Sequence, residues 1–185
     1  MISRRTLLKS AALLAVASQA SPLPAAAAAT PPASPHRFDF AWLKGQARER
    51  AQSSYRPVPN VLPNALAQLD YDRYQSIRFR PDRGLWTGSN VGFRVRFFHL
   101  GRNFNTPVQM YELVNGQARH IRYDPALFDL RKSGINPRSL RRDLGFAGFR
   151  VHVHTDWDND ILVFLGASYF RAVGGEKQFG LSARG

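Results

Sequence analysis

The triplet His152-x-His154-x-Asp156 sets three metal-ligand types at alternate positions. On a strand such positions face one way, so the three could meet a single cation. The set lacks a fourth ligand: Trp157 follows the aspartate, and His36, His99 and His120 are scattered elsewhere. A solvent-facing or hydrogen-bonded pair on the polar side of a strand is the preferred reading, and no metal is expected. Asp156-x-Asp158-x-Asp160 imitates the start of a calcium loop, but Ile161 stands where glycine is required and Ala167 where glutamate is required. A solvated acidic turn between two strands accounts for it better. Glycoside hydrolysis uses one acid to protonate the leaving oxygen and one carboxylate to activate water. Asp143, Asp156, Asp158, Asp160 and Glu176 qualify by type alone. No motif surrounds any of them, so each is expected to be a cap, turn or surface residue and no catalytic residue is assigned.

Trp157, Tyr169 and Arg171 are the substrate-binding candidates. Sugars present flat C–H faces that stack on aromatic rings, and their hydroxyls accept from guanidinium groups. Tyr169 and Phe170 are adjacent on a predicted strand, so only one points into the core. Phe170 is expected inward, which leaves Tyr169 and Arg171 sharing the other face. The alternative for Tyr169 is simple packing with its hydroxyl at the surface. Gly145 and Gly148 lie three apart, but a strand follows them and not a helix, so they read as tight-turn glycines rather than a phosphate cradle.

The elements that must carry these residues are mostly strands. Ile77 and Phe79 alternate with Arg78 and Arg80, and Phe93, Val95 and Phe97 alternate with Arg94 and Arg96. Both patterns predict half-buried antiparallel strands with arginine outward. Phe149, Val151 and Val153 alternate with Arg150, His152 and His154 in the same way. Further strands are expected over 161–165, 168–173 and 178–182. Asn115-Gly116, between apolar runs over 108–114 and 118–121, is a strong hairpin signal. Asp39 is a plausible N-cap for a helix in which Phe40, Leu43, Ala47 and Ala51 recur at helical spacing. That helix is expected to pack along a sheet edge or face. Asp70 is expected to cap a shorter turn at 71–74, after another over 64–69. The fold class is therefore all-β, mainly antiparallel, a β-sandwich with an N-terminal helix.

The chain has 185 residues, no cysteine and a formal net charge of +13. Neither a disulfide framework nor a thiol nucleophile is available. Ser3-Arg-Arg-Thr-Leu-Leu-Lys9, an apolar run from Ala11 to Ala17 and the alanine tract Ala25 to Ala29 match a twin-arginine export signal over residues 1–29. The apolar run is too short for a stable membrane anchor. Residues 30–36 read as a Pro/Ala/Ser linker. Export to the periplasm argues against a nucleic-acid partner for the basic charge, which is spread along strands and not gathered on one helix.

Three blocks in order carry a resemblance: Asp143-Leu-Gly-Phe-Ala-Gly-Phe-Arg150, Phe164-Leu-Gly-Ala-Ser-Tyr-Phe-Arg-Ala-Val-Gly-Gly175 and Phe179-Gly-Leu-Ser-Ala-Arg-Gly185. With Arg37-Phe-Asp-Phe40, Phe97-Phe-His99 and Tyr123-Asp-Pro125, they resemble the periplasmic glucan biosynthesis proteins G and D, and the leader points to the D branch. The resemblance implies a mutarotase-like β-sandwich, here its N-terminal portion over 37–185, followed in the family by an immunoglobulin-like domain. It also implies a role in shaping the backbone of osmoregulated periplasmic glucans, which are β-1,2-linked, and hence a β-linked glucan as partner, with no cofactor. D-type members resemble inverting β-1,2-glucanases. Their acids fall beyond Gly185, so the chain is expected to be a truncated form or fragment without glucanase activity. Two alternatives stand beside this: a non-catalytic carbohydrate-binding β-sandwich, and a metal-dependent periplasmic hydrolase built on His152, His154 and Asp156.

Overall fold

The computed structural model describes residues 35–58, 62–101, 103–166, 168–174 and 178–183. The export signal over 1–29, residues 30–34 of the linker, and Glu176 lie outside them. Strand β1 (His36–Arg37) begins on the last residue of the expected linker. Helix α1 (Phe40–Gln52) follows, and the Asp39 carboxylate accepts from the Trp42 N–H at 2.7 Å, satisfying one of the amides that every helix start leaves open. Helices α2 (Asn64–Ala67) and α3 (Tyr71–Gln75) come next, α3 capped in the same way by Asp70.

The strands are β2 (Arg78–Phe79), β3 (Phe93–His99), β4 (Tyr111–Val114), β5 (Gln117–His120), β6 (Phe128–Asp129), β7 (Phe146–Val153), β8 (Asp156–Leu165), β9 (Tyr169–Val173) and β10 (Phe179–Ala183). They form three antiparallel sheets, ordered β10-β9-β8-β7-β3, β1-β5-β4 and β2-β6. The fold is all-β. Asn115 and Gly116 both take positive φ, 51° and 74°, as a type I′ hairpin turn demands.

Sequence expectations needed correction at four places. The strand expected from Ile77 to Arg80 shrinks to β2, because Pro81 has no N–H to pair and opens a 3₁₀ turn. Helix α1 buries none of its residues; Phe40 is 72% exposed and Leu43 44%. It faces the β4–β5 hairpin across a cleft of about 470 Å³ bordered by Trp42, Leu43, Tyr111 and Leu113. Gly148 is not a turn residue. A Cβ there would sit 2.1 Å from the Phe164 carbonyl oxygen, so glycine allows β7 and β8 to close up, whereas Gly145 does take positive φ (82°). Finally, Arg96 does not point to solvent: it is 8% exposed.

The core gathers where β2, β3, β6 and β7 meet. Phe97 stacks on Phe146 at 4.5 Å between centroids, and Phe79 meets both Phe97 and Phe128 edge-on. Tyr123 and His99 complete the group, with His99 3% exposed. The two ring nitrogens of His99 are both satisfied. Nδ1 lies 2.8 Å from the Leu100 carbonyl, which can only accept, so Nδ1 carries the proton and Nε2 accepts from the Tyr123 hydroxyl at 2.7 Å.

Candidate functional site

Pairing register decides what the five-stranded sheet presents on each face. Phe97, Phe149, Phe164 and Phe170 stand opposite one another across β3, β7, β8 and β9, giving an aromatic ladder on one face. The other face carries the next row: Arg96, Arg150, Val163 and Arg171. Arg94 pairs with His152 beside it, and Phe98, Gly148, Leu165 and Tyr169 form the row on the other side. Thus Phe170 lies on the aromatic face while Tyr169 and Arg171 share the arginine face.

Irregular register in β8 brings acid to this face. His152 pairs with Asp160 and Val153 with Asp156, so the chain between them bulges out of the ladder. Asp160 consequently is not part of a solvated turn: its side chain is 15% exposed, and it accepts from Arg171 Nη2 at 2.6 Å, with Arg150 Nη1 more distant at 3.9 Å. Asp156 instead caps the bulge, accepting from the Asp158 and Asn159 backbone N–H groups. The bulge also lets Trp157 reach back over the arginine face, where the Arg94 guanidinium sits 3.9 Å from its ring centre. Trp157, Arg171 and Tyr169 therefore lie along one face. Arg94 pairs with His152 and Tyr169 lies in the Gly148 row, a spacing of roughly 13 Å at about 3.3 Å per residue. Such a length suits an extended oligomer better than a single sugar.

The electrostatics of this face are one-sided. Arg96 is held below the usual guanidinium range by burial and by Arg94, with Asp158 acting the other way. Arg150 is lowered chiefly by burial; Asp160 acts the other way, and Arg96 and Arg78 each lower it by less. His152 is lowered by burial and by Arg96 and Arg150. The arginines stay charged at neutral pH and His152 stays neutral. Among the described residues, the Nε atoms of Arg96 and Arg150 and the Nε2 of His152 are buried with no hydrogen-bond partner.

The metal triplet does not assemble. β7 ends at Val153, so His152, His154 and Asp156 straddle a turn and no longer alternate along one strand. His152 is fully buried with Nδ1 at 3.0 Å from the Asn159 carbonyl, while His154 is exposed. Among the described residues no three His, Asp or Glu side chains are grouped to hold an ion. Asp143 donates no help as an acid either: hydrogen bonds from Arg141 hold its carboxyl below the usual range. Sequence reasoning missed the arginine row and the pairing of Asp160. Alternating arginines at 94, 96 and 150 hinted at the row, but only register shows that Arg96 and Arg150 are neighbours.

The candidate site is thus one arginine- and aromatic-lined face of a five-stranded antiparallel sheet in which Gly148 lets β7 and β8 close up. Residues 38–185 match the model of the periplasmic glucan biosynthesis protein family, MdoG, and the chain belongs to that family. It is 54% identical over 151 residues to the glucans biosynthesis protein D of Xanthomonas axonopodis pv. citri, covering 82% of this chain and 28% of that protein. The glucans biosynthesis protein D of Xylella fastidiosa (strain M23) is also 54% identical, over 149 residues, covering 80% of this chain and 28% of the relative. The chain thus spans between a quarter and a third of the length of these relatives. Among the described residues no helix is long and apolar enough to cross a membrane.

Proposed function

We propose that this chain takes part, in the periplasm, in building and controlling the backbone of osmoregulated glucans, and that it holds β-1,2-linked glucan against the arginine face of the five-stranded sheet. The observation that carries this reading is the run of Trp157, Arg171 and Tyr169 along one face in a member of a glucan biosynthesis family. The Trp157 ring stacks on the flat side of a glucose unit, Arg171 donates to hydroxyls, and Tyr169 contacts a further unit. The twin-arginine pattern at Arg4 and Arg5 supplies the export route. Replacing both by lysine and following the protein by cell fractionation tests it; an unchanged periplasmic fraction sinks that part.

A second reading, binding without cleavage, draws on how the carboxylates are used. Asp143 is paired with Arg141, Asp156 caps the β8 bulge and Asp160 is tied to Arg171. Calorimetric titration with linear β-1,2-glucan, with β-1,3-glucan as control, tests the common part. Saturable binding to the first alone is expected, weakened about five- to tenfold in Trp157→Ala for a stacking loss of about 1 kcal/mol. Chromatography of the glucan afterwards checks for cleavage: intact chains are expected, and shortened chains would overturn the expected lack of glucanase activity. No binding to β-1,2-glucan would overturn both.

A further inference from the structure

Neutral glucan leaves part of the arginine face unexplained, since glucose carries no counter-charge for several guanidinium groups. Asp160 gives its short contact to Arg171, at 2.6 Å, and lies 3.9 Å from Arg150. Arg150 is nevertheless largely enclosed: its side chain is 24% exposed, and its Nε is buried without a hydrogen-bond partner among the described residues. It lines a cavity of about 170 Å³ at the β3 edge of the sheet. That cavity is lined by Arg78 from β2, by Tyr74 and Gln75 from α3, and by Phe98, Arg150 and Leu165 from the sheet. The Phe98 ring lies under the Arg150 guanidinium, with 5.1 Å from its carbon to the ring centre. Arg78 is exposed at the mouth, and among the described residues no carboxylate lines the space.

We infer that this cavity binds one small oxyanionic group, a carboxylate or a phosphate, between Arg78 and Arg150. Two guanidinium groups converging on a space of this size provide planar, charge-assisted donors for an oxyanion. The apolar walls, Phe98 and Leu165 among them, lower the local dielectric and strengthen those bonds. Gln75 adds an amide donor at the rim. Mutual repulsion of the two arginines, which raises the cost of the empty state, is relieved when an anion enters. The cavity takes in Arg150, Phe98 and Leu165 of the same face, but none of Trp157, Arg171 and Tyr169, the three residues assigned to glucan.

The test is calorimetry on the full 185-residue chain with sodium phosphate and, separately, sodium acetate, at ionic strength held constant with sodium chloride. Saturable binding of at least one anion is expected, weakened about tenfold or more in Arg78→Gln and in Arg150→Gln, for each charge-assisted bond lost. Arg141→Gln, on a remote exposed loop, is expected to bind as the parent does. A preference for phosphate over acetate identifies the doubly charged group as the ligand class, and the reverse identifies the carboxylate. If Arg150→Gln fails to fold by circular dichroism, Arg78→Gln decides, since its side chain is exposed. Absence of saturable binding, or an equal loss in Arg141→Gln, overturns the inference. Arg78→Gln is expected to keep its affinity for neutral β-1,2-glucan, so failure here and failure of the glucan reading are told apart.

Discussion

Two regions of this domain bury polar groups, and they do so on opposite terms. Around Phe146, the titratable groups are fully matched: His99 has a partner on each ring nitrogen, and Tyr123 spends its hydroxyl on one of them. Around Asp160, Arg96, Arg150 and His152 are gathered, and among the described residues the Nε atoms of Arg96 and Arg150 and the Nε2 of His152 are buried with no hydrogen-bond partner. A buried donor left without an acceptor costs on the order of 1–3 kcal/mol. The cost is met in one place and avoided in the other, which sets the region that fixes structure apart from the region proposed above to take a ligand.

The difference is broken most severely by Phe146→Ala. Phe146 is 1% exposed and touches Phe97, Tyr123 and Phe128, so its removal is expected to cost about 3–5 kcal/mol in denaturant unfolding. A loss under 1 kcal/mol would mean the aromatic cluster is not the core.

Much of that cluster was legible in advance, and much of the opposing face was not. The apolar positions 95, 97 and 149 on alternating strands, the Asp39 and Asp70 caps and the Asn115-Gly116 turn depend on local rules, and local rules are written in consecutive residues. The burial of Arg96, the approach of Asp160 to Arg171 and the stacking of Arg94 on Trp157 depend on register between strands and on the β8 bulge. Nothing in the sequence fixes which residue of one strand stands opposite which residue of another. The same gap explains the reading of Asp156 to Asp160 as a plain acidic turn.

Acid should come next in effect. Burial pushes His99 down to about 4 from 6.5, so the unfolded chain takes up a proton that the native core refuses. Stability is therefore complete above pH 6.5 and falls as pH drops toward 4, by up to about 3 kcal/mol from this residue. His99→Gln should flatten that slope, leaving the smaller parts due to His152 and His120, both also held low by burial. A parent protein equally stable at pH 7 and pH 4.5 would contradict the matched-core account.

On the arginine face the effects are smaller. Asp160→Asn removes the negative charge that faces Arg171 and leaves half-buried cations facing one another. The expected loss is about 2 kcal/mol, below the figure for a fully buried pair because water reaches both side chains. A comparable loss in Arg171→Gln, with the double variant costing less than the sum, would locate the effect in the pair. Smallest of all, Arg94→Gln should change stability by about 0.5–1 kcal/mol through its contact with Trp157, while weakening glucan binding more than it weakens the fold.

The most direct test watches the arginine face itself while glucan is added. In ¹⁵N-labelled protein, the Trp157 indole and the Arg94 and Arg171 side-chain N–H signals should shift together and saturate with linear β-1,2-glucan. Backbone signals around Phe146 and His99 should stay in place. Shifts confined to Trp42 and Tyr111 in the cleft under α1, or none at all, would contradict the account.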